Sequence, residues 1–306
     1  MEREEPRLDL VVAGHTNIDR FLFAEKLPEA DRTVPLRGQR VALGGTAATL
    51  ARQAARAGVH TGLISRIGPD FPESFLVELR RDGVDLTGLE RVPDTQSPTC
   101  YIVEDGRGHQ VTFIHQGPME QVRGALLPEA VLGTTRWLHL TTGAPAWQLA
   151  LKSAARAFGV RVAVDPAQEL HYLWDAAHLS ALLSGAEMLF GNASEIKRVL
   201  ALLRLRDITA LLARVPLVVM TQGARGVVAY SRAGTLRVPA QRVASATQVT
   251  GAGDSFRGGF YGAFFAGQPL REALEEGTRT AAAWMRQRPP TAARAGRTTN
   301  AEHASR

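Results

Sequence analysis

The run Thr250-Gly251-Ala252-Gly253-Asp254 carries the clearest chemistry in this sequence. It opens the stretch Thr250 to Gly262, TGAGDSFRGGFYG, in which a tight glycine turn leads into an apolar helix. The backbone N–H groups of Gly251, Ala252 and Gly253 can converge there on one anion, with the positive end of the helix dipole behind them. Asp254 then stands beside the anion, where a carboxylate can take the proton from a hydroxyl attacking a γ-phosphate. The same residues also fit an ordinary N-cap in a glycine-rich turn. Gly258, Gly259 and Gly262 weigh against that plainer alternative. Each costs about 1 kcal/mol against Ala inside a helix, so the chain needs a reason to keep them, such as close approach to a ligand or a strand.

Two common nucleotide signatures are absent. No lysine follows a glycine, so there is no GxxxxGK[ST] loop, and the first strand ends in Gly14-His15-Thr16-Asn17 rather than GxGxxG. Asp165-Pro166 sits at the carboxyl end of a strand, the edge where open α/β sheets bind ligands. Asn192 followed by Glu195 has the spacing of a capping box, and Thr221 to Gly226 fits a hairpin turn. His15, His109 and His115 lack metal-ligand spacing and read as ordinary polar residues, His115 being a candidate for substrate contact.

The elements that must hold these residues follow from hydrophobic periodicity. Short apolar runs at Leu8 to Ala13, Thr61 to Ser65, Trp137 to Leu140, Val160 to Val164, Met188 to Phe190 and Leu217 to Met220 are expected strands. Helical stretches lie between them at Ala47 to Ala57, Glu73 to Arg81, Ala146 to Phe158, Ser194 to Leu203 and Asp207 to Ala213. Gly58, Gly83 and Gly159 follow three of these, where a left-handed cap is often needed. The alternation specifies an α/β, doubly wound fold with a mostly parallel sheet. Two segments break it: Phe21 to Val41, rich in Pro and charge, and Thr99 to His115, which reads as two alternating strands joined across Glu104 to Gly108. Both are expected in a small sheet outside the main one.

With 306 residues, 45% of them hydrophobic, the chain has ample material for a core. The net charge of +6 comes almost wholly from arginine, since Lys26, Lys152 and Lys197 are the only lysines. Such a balance suits anionic ligands. No basic helix with interleaved aromatics accompanies it, so no nucleic-acid partner is expected. Cys100 is the only cysteine, and neither a signal peptide nor an apolar run of spanning length is evident. The expected setting is cytoplasmic, with no membrane partner. The end, PPTAARAGRTTNAEHASR, lacks apolar periodicity and is expected to be disordered over 289–306.

The run at Thr250 to Asp254 resembles the DTxGAGD signature of the ribokinase or PfkB family of carbohydrate and nucleoside kinases, and other pieces agree in order and spacing from about residue 8 to about 286. Gly44 to Ala51 is similar to the GGxxxNxA signature and Gly14 to Asp19 to GxxNxD. Gly68, Asp70 and Gly83-Val84-Asp85 resemble GxDxxG…GVD, Asn192 to Glu195 resembles NxxE, and Thr221 to Gly226 resembles TxGxxG. The resemblance implies a three-layer α/β/α ribokinase-like domain over 1–288, with a small β-sheet lid formed near 21–41 and 99–115. It implies ATP and Mg²⁺ as cofactors, and transfer of the γ-phosphoryl group to the hydroxymethyl group of a sugar. A nucleoside acceptor, or a catalytically weak binding relative, is the alternative.

The same resemblance implies roles at matched positions. Asp254 is the base and Gly251, Ala252 and Gly253 form the anion hole. Asn17, Asp19, Gly44, Gly45 and Thr49 bind the acceptor, with Gly44-Gly45 as the hinge of the lid. Asn192, Thr221, Gly223 and Gly226 hold the nucleotide, and Glu195 organises Mg²⁺ indirectly through water. The outer edges of the lid would be unpaired strands, which proteins tend to cover, so a homodimer joined through the lids is expected. The sequence departs from the family at Thr49, where an Asn is usual, and in Ala167 and Glu169, which occupy the Asn and Arg places of DPNxR. Gln248-Val249 replaces Asp-Thr and Arg288-Pro289-Pro290 replaces a loop, so activity is expected to depend little on K⁺. The stretch His109 to Met119 resembles the NQxTxFxPGAM lid segment of adenosine-kinase-like members, which favours nucleosides.

Overall fold

The computed structural model describes residues 7–107, 109–120, 127–243 and 250–287. The first part of the chain folds as β1 (Leu8–Ala13), β2 (Asn17–Ala24), β3 (Leu36–Gly44), α1 (Thr46–Arg56), β4 (Thr61–Ile67), α2 (Glu73–Arg81), β5 (Val84–Asp85) and β6 (Leu89–Arg91). Next come β7 (Thr99–Glu104), β8 (Gln110–His115), α3 (Glu129–Gly133), β9 (Thr135–Leu140), α4 (Pro145–Ala157), β10 (Arg161–Val164) and α5 (Ala176–Leu183). The last part forms β11 (Met188–Asn192), α6 (Ala193–Leu202), α7 (Ile208–Leu212), β12 (Leu217–Thr221), β13 (Val227–Ser231), β14 (Gly234–Val238), α8 (Ala252–Phe265) and α9 (Leu270–Arg286).

The main sheet has ten strands among the described residues, in the order β14-β13-β12-β11-β10-β9-β1-β4-β5, with β6 also on β4. From β4 through β12 the neighbours are parallel, while β13 and β14 run antiparallel at one edge. Interior strands are apolar on both faces because helices cover both. In β1, Leu10 and Val12 join the core beneath α1, α2, α8 and α9, while Val11 and Ala13 join the core beneath α3 to α7. The doubly wound expectation is met, and Gly58, Gly83 and Gly159 each take a positive φ after their helices.

A second sheet, in the order β3-β2-β7-β8, stands apart as the lid and contains both segments that broke the alternation. Cross-strand partners share a face. Asp19, Ala42, Cys100 and Ile114 make one row on the inner face, and Arg20, Val41, Tyr101 and Phe113 make a row on the outer face. His115 pairs with Thr99 in register with the outer set, so it does not join the row that carries Asp19. No helix among the described residues is long and apolar enough to cross a membrane. The segments 244–249 and 288–306, with Gln248, Val249 and Arg288-Pro289-Pro290, lie outside the described residues, as do the expectations placed on them.

The helix glycines have a different reason from the one expected. A Cβ on Gly258 would fall 2.3 Å from the Cβ of Gln53 in α1, one on Gly262 would fall 2.6 Å from Ala57 Cβ, and one on Gly259 would fall 2.2 Å from Thr280 Oγ1 in α9. These glycines let α8 press against two helices rather than against a ligand or a strand. Gly258→Ala gains about 1 kcal/mol of helix propensity but overpacks that contact. The expected net loss is about 1–3 kcal/mol, read from urea denaturation midpoints at unchanged m-value.

Candidate active site

The site lies where the carboxyl ends of the parallel strands meet the lid and the start of α8. Gly251 is the N-cap of α8 at φ 84 and offers no side chain to cap the helix. The N–H groups of the first turn, on Ala252 and Gly253, have no intrahelical acceptor by helix geometry and remain open to an anion. A Cβ on Gly251 would come within 3.0 Å of the Trp284 ring, and Trp284 Nε1 donates to Thr250 O at 2.8 Å. Residue and ring together pin the turn from α9. Trp284 belongs to no motif, so nothing in the sequence marked it.

Asp254 stands in the first turn of α8, its side chain 17% exposed. Burial pushes its carboxyl up to about 6, against the opposing pull of Arg257 and with a further push from Glu195. A base with its pKa near neutrality is suited to receive a proton. Asp19, on the inner face of the lid, is pushed up to about 7, first by burial, and is held back by Arg40 and the Cys100 thiol. The charge of Asp254 raises it further, which brings the expected clamp and the expected base into one field.

The acceptor side has unfilled hydrogen-bonding capacity. Asn17 Oδ1 and Asp19 Oδ1 are buried without a partner, although Asn17 Nδ2 donates to Cys100 Sγ at 3.3 Å. Buried acceptors of this kind are costly unless a donor arrives. Gly44 faces Asn17 across the strand pair, and a Cβ there would fall 2.0 Å from Asp19 Oδ2. Its bare backbone therefore makes room for the carboxylate. Gly45, at φ 95, is the N-cap of α1 and would place a Cβ 2.4 Å from His15 O. Thr49 sits one turn into α1, partly buried, with its N–H donated to Gly45 O at 2.9 Å.

Asn192 and Glu195 do form a capping box at the end of β11: Glu195 N donates to Asn192 Oδ1 at 2.9 Å and Asn192 N donates to Glu195 Oε2 at 2.6 Å. The box leaves Glu195 Oε1 uncommitted in its reciprocal pair, and the charge of Glu195 is felt by both Asp165 and Asp254. No cluster of three or more metal-ligating side chains occurs among the described residues. The uncommitted Oε1 of Glu195 has the chemistry to accept hydrogen bonds from water around a cation. The turn from Thr221 to Gly226 is a hairpin between β12 and β13, closed by Gln222 N donating to Gly226 O at 2.7 Å. Gly223 has open space about it at φ 59, whereas Gly226 at φ 92 packs a would-be Cβ 2.1 Å from Val238 O.

A buried polar group ties the residue that follows lid strand β8 to the body. His15 Nε2 is bonded to the Gln116 side-chain oxygen, His15 Nδ1 meets Thr142 Oγ1 at 2.9 Å, and Glu169 Oε1 lies 3.7 Å away. Glu169 Oε2 accepts from Gly143 N at 2.6 Å. Burial lowers His15 to about 4, so it is neutral, and raises Glu169 to about 7. Glu169 thus fills the place where the resemblance implies an arginine, in the turn that follows β10.

Burial also raises Asp165 to about 7, although Arg257 opposes the shift. A carboxyl with a folded pKa above its unfolded value binds protons more readily when folded. Its cost to stability is complete above about pH 7 and fades as the pH falls towards 4. Asp19→Asn is accordingly expected to raise the melting temperature at pH 8 by on the order of 5 °C, with the gain shrinking by pH 5. Paired thermal melts of the two proteins at both pH values check this.

The sequence pattern described as pfkB family carbohydrate kinase matches residues 7–294. The chain is 32% identical to a nucleoside kinase of Methanothermobacter thermautotrophicus, over 86% of this chain and 84% of that one. It is 31% identical to an ATP-dependent ribose-1-phosphate kinase of Halopiger xanaduensis, over 86% and 87% of the two chains. Among solved structures it is similar to the nucleoside kinase of Methanocaldococcus jannaschii, with a TM-score of 0.82, 27% identity and coverage of 91% and 92%.

Proposed function

Because the chain belongs to the pfkB family of carbohydrate kinases, we propose that it moves the γ-phosphoryl group of ATP to the hydroxymethyl group of a ribosyl compound, a nucleoside ahead of a free sugar. The observation that carries this reading is the pair of unpartnered buried acceptors, Asn17 Oδ1 and Asp19 Oδ1, placed on the lid face whose carboxylate feels Asp254. A ribosyl group brings the hydroxyl donors those atoms lack. The preference for a nucleoside rests on the similarity to a nucleoside kinase and on the lid segment His109 to Met119.

In this reading Asn17 and Asp19 orient the ribosyl hydroxyls, and Gly44 keeps the Asp19 carboxylate in place. Asp254 takes the proton of the hydroxymethyl group as its oxygen bonds to phosphorus and the bond from phosphorus to the leaving oxygen breaks. The N–H groups at Gly251, Ala252 and Gly253 and the dipole of α8 hold the developing negative charge. Asn192, Thr221, Gly223 and Gly226 border the nucleotide. Glu195 would hold Mg²⁺ indirectly through water, and the ion would offset phosphate charge. Gly44-Gly45 serves as the hinge by which the lid excludes water.

ATP consumption with Mg²⁺ across nucleosides, ribose and ribose 1-phosphate tests the reading. Turnover with a nucleoside above the ATP-only background supports it, and no acceptor-dependent turnover across the panel overturns it. The lid also supports a homodimer: Val41, Tyr101, Val111 and Phe113 are exposed on its outer face, Phe113 by 61%, and its edge strands β3 and β8 lack an outer neighbour in the sheet. Light scattering at micromolar concentration should give twice the chain mass, falling to one with Phe113→Glu.

A further inference from the structure

Beneath the glycine turn lies an ion pair that the proposed function does not use. Arg257 is one turn along α8 from Asp254, and its side chain is 8% exposed. Its Nη2 is paired with Oδ2 of Asp165, which is fully buried at the end of β10. Its Nη1 lies 3.4 Å from Asp254 Oδ1 and 3.0 Å from the point where a Cβ on Gly253 would stand. The guanidinium therefore fills the space directly under the anion hole, and a side chain at position 253 would crowd it.

We infer that Arg257 is a positioning residue: anchored to the sheet by Asp165, it holds Oδ1 of Asp254 and leaves Oδ2 directed to the acceptor hydroxyl. The inference rests on the kinase reading above. Its physical reason lies in the position of Asp254 in the helix. A carboxylate in the first turn is attracted to the open N–H groups of its own helix end, and side chains three residues past an N-cap commonly fold back to cap them. Such a turn of Asp254 would occupy the N–H groups that the phosphate needs. A charge-assisted bond to a guanidinium that is itself fixed at its far end competes against that local capping. Arginine suits this better than lysine because its planar fork can bond two carboxylates in separate directions at once.

The same charge acts on the proton affinity of the base. Asp19 from the lid, Asp165 from β10 and Glu195 from α6 surround Asp254 and Arg257 with negative charge, while His139 of β9 and Tyr261 of α8 stand near the guanidinium. Arg257 is the one group among these that favours the ionised form of Asp254.

The experiment compares wild type, Arg257→Gln, Arg257→Lys and Asp254→Asn with ATP, Mg²⁺ and the best nucleoside of the panel. Arg257→Gln should lower kcat by about 10- to 100-fold while both KM values stay within about twofold. The acid limb of its kcat/KM profile should move up by about one pH unit, because the cation no longer favours the carboxylate. Arg257→Lys should recover about tenfold of the loss and return the acid limb, since it restores charge without the fork. If Arg257→Gln alone fails to fold around an unpaired Asp165, the double variant Asp165→Asn/Arg257→Gln, which removes that unpaired carboxylate at the end of β10, should show the same loss and a pH shift in the same direction. Folded variants with wild-type kcat and an unmoved acid limb, beside an inactive Asp254→Asn, overturn the inference and leave the kinase reading standing. A fully active Asp254→Asn overturns both.

Discussion

Asp254→Asn should lower kcat by about 10²- to 10⁴-fold while changing the KM for ATP and for the acceptor by less than about threefold. The asymmetry follows from where the carboxylate acts. Proton removal is needed only as the new oxygen–phosphorus bond forms, so its loss appears in the transition state and not in binding. Asparagine keeps the size of the side chain, its contact with Arg257 and its place at the helix start, but it cannot accept a proton at neutral pH. Because burial lifts the carboxyl to about 6, wild-type kcat/KM should fall by an additional tenfold per pH unit below about 6, on top of the fall that protonation of Asp19 sets below about 7. The variant should lack that additional fall. Steady-state kinetics from pH 5 to 8.5 measure both. Turnover near that of wild type in the variant would remove Asp254 from the reaction.

The second large effect is expected on the acceptor side. Asp19→Ala should raise the acceptor KM on the order of 10²-fold or more, because two hydroxyl bonds to a charged acceptor are lost, each worth about 1.5–3 kcal/mol. The KM for ATP should stay put. Gly44→Ala offers an independent route to the same phenotype: its Cβ would fall 2.0 Å from Asp19 Oδ2 and push the carboxylate aside. An acceptor KM raised about tenfold in Gly44→Ala, with the ATP KM unchanged, would tie the effect to the carboxylate's position. A rise in the ATP KM in either variant would place Asp19 outside the acceptor site.

The sequence by itself determined whatever depends on neighbours along the chain. The glycine turn before Asp254, the capping box of Asn192 and Glu195, the alternating strands of the lid and the caps at Gly58, Gly83 and Gly159 all follow from backbone preferences within a few residues. The alternation of strands and helices gave the α/β doubly wound fold, and the resemblance of the motifs to the ribokinase or PfkB signatures implied the class of reaction. The tertiary structure decided what depends on packing between distant segments. It showed that Gly258, Gly259 and Gly262 serve contacts of α8 with α1 and α9, and that Gly44 is bare because Asp19 lies against it. It brought Arg257 to Asp165, Trp284 to the turn at Thr250, and Gln116, just past lid strand β8, to His15. The pKa values of Asp19, Asp165, Glu169 and Asp254 belong to the same set. Loss of water around a carboxylate is created only when the sheet, the lid and α8 close on one another, and no local pattern of residues encodes how much water remains.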